Sequence, residues 1–302
     1  MQKLLIIGGA TATGKTAVAA QLAREFDGEL ISADSRQVYR GMDVGTGKDR
    51  PEGIRVWGYD LVNPDEDFSV ADWVNWAWPV IEKLGGENKL PIVVGGTGLY
   101  LKSLLEPPAS LGIRPDKKLR KELSNWDIRQ LQQRLKQVAP ERFRQMNWSD
   151  QHNPRRLVRA IEVSISPRGS LSSHPRGGYD IAWVGLTADR ATLEERIRRR
   201  VEQRAGGGMS QEVKRLAREY PDWNWPAFSA TGYRDWRDYV EGKTSRDEAM
   251  AKWQRAEIQY MRRQLTWFKK MPQFARFDIG RENWQNQVRE FVCKKLKFPI
   301  GR

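Results

Sequence analysis

The run Gly9-Ala10-Thr11-Ala12-Thr13-Gly14-Lys15-Thr16 follows an apolar stretch, Leu4-Leu5-Ile6-Ile7, and leads into a helical pattern, Ala17-Val18-Ala19-Ala20-Gln21-Leu22-Ala23. It matches G-x-x-x-x-G-K-[ST]. Strand, glycine loop and helix is the context in which that motif becomes a phosphate-binding P-loop. Backbone N–H groups turn toward the anion there, and the helix adds the positive end of its dipole. The predicted phosphate-binding (nucleotide-binding) set is Gly9, Thr11, Ala12, Thr13, Gly14, Lys15 and Thr16. Lys15 supplies a point charge, and the Thr16 hydroxyl is the candidate Mg²⁺ ligand. Taken alone, the motif implies a nucleoside triphosphate such as ATP.

A P-loop needs a parallel sheet behind it, and the first hundred residues supply one. Lys3–Gly8, Glu29–Ala33 and Pro91–Val94 read as buried strands, and Val70 to Leu84 repeats apolar residues at helical spacing. Short apolar runs joined by helices predict an α/β fold with a parallel sheet flanked by helices. Ligands in such sheets lie beyond the carboxyl ends of the strands. Gly9–Thr16, Asp34-Ser35 and Gly95–Thr97 are therefore expected to converge.

The middle of the chain changes character. Asp116 to Val138 is rich in Lys, Arg, Gln and Leu, and Pro154 to Val163 is a second basic helix candidate. This predicts an all-helical insertion over 113–178, set into a core formed by 1–112 and 179–302. Ser166–Gly178 reads as a loop, Asp180–Leu186 as a late strand, Thr192–Arg204 as a basic helix stopped by three glycines, and Arg246–Lys270 as a long helix.

A formal charge of +14 points to a polyanionic partner, above all nucleic acid. Thirteen tryptophans among many arginines offer stacking surfaces for unpaired bases, although most are expected in the core. Cys293 is the single cysteine, which excludes an intrachain disulfide and predicts a reducing, cytoplasmic compartment. With His152 and His174 as the two histidines, a His/Cys zinc site is excluded, so a metal would be oxygen-ligated, favouring Mg²⁺. The chain starts directly on a strand and has no apolar stretch near the ~20 residues of a membrane span, so neither a signal peptide nor a membrane anchor is expected. A monomer is expected.

Asp34, ending a strand beside the P-loop, reads as a metal ligand, a general base or a turn-capping residue. Thr97, in a glycine-flanked turn, reads either as a hydrogen-bond donor to a leaving phosphate oxygen or as a structural turn residue. The arginines of 155–159 read as phosphate contacts or as a solvated face.

Several longer runs, in order along nearly the whole chain, resemble the tRNA dimethylallyltransferase family. They are Gly9–Thr16, Ile31–Thr46, Val94–Leu101, Arg155–Val163, Thr231–Arg234 and Tyr260–Phe268. The resemblance implies transfer of a dimethylallyl group from dimethylallyl diphosphate to N6 of adenosine 37 in tRNA. It implies Asp34 as the base that takes the N6 proton and Thr97 as the residue that stabilises the departing diphosphate. The P-loop with Mg²⁺ would then hold a diphosphate. Implied contacts to the tRNA anticodon stem-loop are Asp34, Ser35, Arg36, Gln37, Arg120, Arg155, Arg156, Arg159, Gly232, Tyr233, Arg234, Arg262, Arg263, Gln264 and Trp267, within the stretches Ser229–Arg234 and Arg262–Lys269. Ala10 and Thr13 stand where the family has proline and serine, Val56–Leu61 replaces a histidine-containing run, and Glu257-Ile258 replaces Thr-Arg. Three rival readings are a P-loop small-molecule kinase, a prenyltransferase acting on free adenine nucleotides, and a non-catalytic RNA-binding protein.

Overall fold

A computed structural model describes residues 1–108, 110–166 and 178–299. In chain order the elements are β1 (Gln2–Gly9), α1 (Lys15–Glu25), β2 (Gly28–Ser32), β3 (Val56–Trp57), α2 (Val70–Gly86), β4 (Leu90–Gly95) and α3 (Gly98–Leu105). A helical run follows: α4 (Lys117–Leu123), α5 (Ile128–Val138), α6 (Pro140–Gln145), α7 (Trp148–Gln151) and α8 (Pro154–Ile165). The chain then forms β5 (Tyr179–Thr187), α9 (Arg190–Gly206), α10 (Met209–Glu219), a 3₁₀ turn (Pro226–Ser229), α11 (Tyr233–Val240), α12 (Arg246–Phe268), β6 (Ala275–Asp278) and α13 (Trp284–Leu296).

The six strands form one parallel sheet in the order β3-β2-β4-β1-β5-β6. Apolar runs unbroken by polar residues give strands buried on both faces, and Leu4, Leu5, Ile6 and Ile7 are fully buried. Pairing of Ile6 with Val93, and of Val93 with Ile31, sets the ends of β1, β4 and β2 side by side. The three predicted loops leave those adjacent ends. Helix α2 starts in a capping box between Ser69 and Asp72 and runs through Pro79. A proline there removes one rung of the ladder, but buried Trp73, Val74, Trp78 and Ile81 hold the helix to the core.

The chain divides into two compact units, Met1–Glu106 with Pro175–Arg302, and Pro107–His174. The second begins six residues before the insertion expected from sequence. Within that unit, Arg159 on α8 donates 2.8 Å hydrogen bonds to the carbonyls of Ser110 and Ile113, which ties this lead-in segment to the helices. Leu123, Leu131, Leu135, Leu157, Ala160 and Ile161 make its core. Most of the loop expected over Ser166–Gly178 lies outside the described residues.

The late elements α10, α11, β6 and α13 were not expected from sequence. Strand β6 has four residues, none fully buried, so it carries no apolar run to read. Helix α13 buries Val288, Val292, Cys293 and Leu296 along one stripe. Burial pushes the Cys293 thiol upward, away from the thiolate. Trp73, Trp78, Trp236 and Trp253 are fully buried, as the core reading requires, whereas Trp148 stands 74% exposed.

One buried carboxylate fixes the loop after β2. Glu212 on α10 accepts from the N–H groups of Asp43 and Val44 (2.7 Å each) and of Gly45 (3.0 Å), and from the Tyr233 hydroxyl at 2.7 Å. Replacing it with alanine leaves four donors without their acceptor. Glu212→Ala is expected to lower stability by roughly 3 kcal/mol, and Glu212→Gln by less, read as midpoint shifts in urea unfolding.

Candidate active site

Helix α1 begins at Gly14, whose φ of 81° a side chain would strain, and no side chain caps its first turn. The leading N–H groups of the helix are thus left for an anion. Gly9, at the end of β1, lies so close to the Leu186 carbonyl of β5 that a Cβ there would collide with it. The Thr13 hydroxyl closes the loop on the Ala10 carbonyl at 2.8 Å. Lys15 Nζ also donates to that carbonyl, at 2.6 Å.

A cavity at the carboxyl ends of the strands is lined by Thr11, Lys15 and Thr16 from the P-loop, Asp34, Arg36 and Gln37 after β2, and Gly95-Gly96 after β4. Its far wall comes from late helices: Arg200 and Arg204 on α9, Glu257, Tyr260 and Gln264 on α12, with Thr231 before α11. The expected convergence of three strand ends is therefore observed. The helical wall was not read from the sequence.

Asp34 Oδ1 accepts the Arg36 N–H at 2.8 Å, the Asx turn that the capping alternative required. Oδ2 makes no hydrogen bond or ion pair among the described residues, so the turn fixes the carboxylate and leaves an oxygen for chemistry. The Thr97 hydroxyl accepts the Ser35 N–H at 3.1 Å and contacts the Tyr260 hydroxyl, linking the turns after β2 and β4 to α12. Burial, and then the charge of Asp34, push the Tyr260 phenol upward, so it stays neutral at physiological pH.

Lys15 is the most perturbed cation of the cavity. Burial, then repulsion from Arg200, bring its ammonium down to about 7, against the pull of Asp34 and Asp49. Burial and Arg200 likewise lower Arg204 to about 10. Arg200 Nη2 donates to the Thr11 hydroxyl at 2.6 Å and to Glu257 Oε2 at 3.0 Å, and its buried Nε has no partner. The cavity is thus a cationic site waiting for an anion, with a carboxylate at one end.

The residues expected to touch RNA fall into three groups. Arg155, Arg156, Arg262 and Arg263 are exposed, Arg156 paired with Asp150 and Arg262 with Glu194 at 3.0 Å. Others are committed within the chain. Arg120 and Arg159 both bind Glu162, whose side chain is fully buried. Burial alone would raise that carboxyl, but hydrogen bonds from Arg120, Arg159 and the Asp116 N–H hold it below its ordinary range. Arg36 donates to the Pro226 carbonyl at 2.6 Å, Arg234 to that of Trp223 at 3.1 Å, and Trp267 packs on Gly98. Gln37 bridges the Ser32 hydroxyl and the Gly47 carbonyl.

The third group is buried. Tyr233 is fully buried on Glu212, behind Gly232 at φ 88°. Gln264 accepts the Thr11 N–H at 2.8 Å and donates to the Gly96 carbonyl at 2.9 Å. The Tyr233 side chain offers no surface to an RNA, which corrects its assignment as a contact, whereas Gln264 lines the cavity.

Arg200, Arg204, Glu257 and Tyr260 escaped the sequence reading. The signal for the arginines lies in α9, where Arg196, Arg200 and Arg204 each stand one residue before Ile197, Val201 and Ala205 of the buried stripe. That places them at its edge, where Arg200 and Arg204 are half-buried and Arg196 is exposed.

The chain matches the family model described as IPP transferase over residues 37–271 and that described as isopentenyl transferase over residues 2–57. It is 37% identical to the tRNA dimethylallyltransferase of Alkaliphilus oremlandii, covering 98% of this chain and 97% of that protein. Against the tRNA dimethylallyltransferase of an Exiguobacterium species the identity is 39%, covering 93% and 92%. The crystal structure of the full-length tRNA isopentenylpyrophosphate transferase from Bacillus halodurans is similar with a TM-score of 0.72 at 34% identity, covering 98% of this chain and 97% of that one.

The lowered Lys15 has a thermodynamic consequence. Burial and Arg200 bring the Lys15 ammonium down to about 7, within the physiological range. A bound phosphate anion favours the ammonium and raises its pKa, so binding takes up a proton. Affinity for inorganic diphosphate is expected to weaken as pH rises above 7, by up to about tenfold per unit, beyond what the anion's own titration gives. Calorimetry in two buffers of different ionisation enthalpy near pH 8 should show net proton uptake that Lys15→Met abolishes. Equal uptake in both proteins would assign the proton elsewhere.

Proposed function

The chain belongs to the tRNA dimethylallyltransferase family, and on that premise we propose that it transfers a dimethylallyl group from dimethylallyl diphosphate to N6 of adenosine 37 in tRNA. The observation that carries the reading is the placement of a carboxylate, Asp34, and a P-loop cation, Lys15, on the wall of one cavity. A phosphoryl-transfer site and a prenyl-transfer site both need the anion cradle. The prenyl-transfer reading also gives the adjacent carboxylate a task, since the acceptor is a weakly nucleophilic amine.

The N6 nitrogen attacks C1 of the allylic donor as the C1–O bond breaks, and the bonding pair leaves on the diphosphate oxygen. Asp34, held by the Arg36 N–H, takes the N6 proton through its free oxygen. Lys15, the N–H groups at the start of α1, and Arg200 stabilise the charge that develops on the leaving group. The Thr97 hydroxyl accepts the Ser35 N–H and so keeps its own O–H to donate to the leaving oxygen. A diphosphate beside Lys15 would favour its charged form.

Magnesium fits this donor set. The Thr16 hydroxyl and the carboxylates of Asp34 and Asp49 line the same cavity, so the available ligands are oxygens. Thr16 would hold Mg²⁺, and the ion would supply positive charge to the diphosphate.

For the RNA, the supporting features are the net charge of +14 and the exposed Arg155, Arg156, Arg262 and Arg263. An adenine beside the anticodon is only partly stacked, so drawing it toward Asp34 costs a few kcal/mol or less. A tRNA substrate is consistent with a cytoplasmic location. No helix among the described residues is long and apolar enough to cross a membrane.

Labelled dimethylallyl diphosphate, incubated with unmodified tRNA carrying A36-A37, should deliver label to the tRNA. Asp34→Asn is expected to lower kcat by about 10²- to 10⁴-fold. Thr97→Ala is expected to lower it by about 10²-fold or more. Both should leave tRNA affinity largely intact. Label on free AMP or ATP and none on tRNA would overturn the acceptor assignment, and lost tRNA binding would reassign both residues.

A further inference from the structure

Glu257 sets a buried carboxylate in the wall of a cavity built for an anion. Its side chain is 6% exposed, and it lines the same space as Lys15, Arg200 and Arg204. A negative group there opposes diphosphate binding, so it needs a physical account.

Its contacts give one. Glu257 Oε2 accepts from Arg200 Nη2 at 3.0 Å, and the same nitrogen donates to the P-loop hydroxyl of Thr11 at 2.6 Å. Glu257 Oε1 accepts the Thr231 hydroxyl at 2.6 Å. Arg200 is thereby held against the P-loop by one nitrogen, with its Nε unpartnered. The carboxylate also acts on Arg204 across the cavity wall. One acid is thus coupled to two of the guanidiniums that face the anion.

Breaking the C1–O bond leaves the diphosphate with a further ionisable oxygen and more negative charge than the donor carried. A fixed carboxylate repels the product more than the substrate. We propose that Glu257 is a counter-charge that limits how tightly the diphosphate product is held, by occupying Arg200 and cancelling part of the cavity's positive charge. This rests on the reading that the cavity takes a diphosphate. Glu257 acts through Arg200 and is a positioning residue rather than a catalytic one.

The test is calorimetric binding of inorganic diphosphate, with Mg²⁺ present, to the wild type, Glu257→Gln and Thr231→Val. Gln keeps the size of the side chain and an acceptor while removing the charge. Glu257→Gln is expected to bind diphosphate about tenfold more tightly, as removal of one nearby opposing charge predicts. Its steady-state turnover should be inhibited by added inorganic diphosphate at about tenfold lower concentration than that of the wild type. Thr231→Val frees the carboxylate from its neutral partner and should weaken diphosphate binding, giving a second arm of opposite sign. Equal or weaker binding by Glu257→Gln, or tighter binding by Thr231→Val, overturns the proposal and leaves Glu257 as a prop for Arg200. A wild type that binds no diphosphate would instead overturn the reading of the cavity itself.

Discussion

The buried amide of Gln264 joins the two loops on which the site depends. Its oxygen takes the Thr11 N–H of the P-loop, and its nitrogen gives to the Gly96 carbonyl after β4. Both loops leave neighbouring strands of a parallel sheet, and each has backbone groups that the sheet itself does not satisfy. A side chain with one acceptor and one donor, delivered by α12, satisfies both at once. It also brings Tyr260 and Glu257, one and two turns back along the helix, to the cavity wall. The anion cradle and the wall opposite it are therefore one hydrogen-bonded assembly, although the residues that make it are separated by most of the chain.

That separation explains what could be read from the sequence. Phosphate binding by a P-loop is local chemistry, with turn, donors, lysine and hydroxyl all lying between Gly9 and Thr16. Strands buried on both faces are equally local, and their alternation with helices is enough to set Asp34 and Thr97 at the same edge of the sheet as the cradle. The wall from α9 and α12 left no comparable trace. Arg200 reads as one of many arginines on a basic helix, and Glu257 as an acidic residue on a long amphipathic one. Arg200 meets Thr11, 189 residues earlier, and Glu257 meets Arg200 and Thr231, contacts that helical spacing does not encode. Tyr233 differs from its expected role for a related reason. A polar residue inside a basic motif looks like an RNA contact until its partner, Glu212, is known.

Electrostatics ties these parts to the chemistry. Burial and the neighbouring Arg200 lower Lys15 to about 7, so the cationic wall of the cavity weakens its own lysine charge. An anion offsets that effect, so the loaded site is the electrostatically complete one. The acids sort by position. Asp34 keeps an oxygen free for the acceptor, whereas Glu257 is spent on Arg200 and Thr231. In the helical unit the same rule has a structural use, since the buried Glu162 is matched by Arg120 and Arg159 and leaves Arg155 and Arg156 as the exposed charges of α8.

The central claim is that carbon, not phosphorus, is transferred from the compound held by the P-loop. Dimethylallyl diphosphate carrying ¹⁸O at the oxygen that joins C1 to phosphorus tests it most directly. Cleavage between C1 and that oxygen delivers all of the label to released inorganic diphosphate and none to the tRNA. Label retained on the prenyl carbon as dimethylallyl alcohol, with a diphosphate group on the acceptor, would mean cleavage between oxygen and phosphorus and would contradict the account.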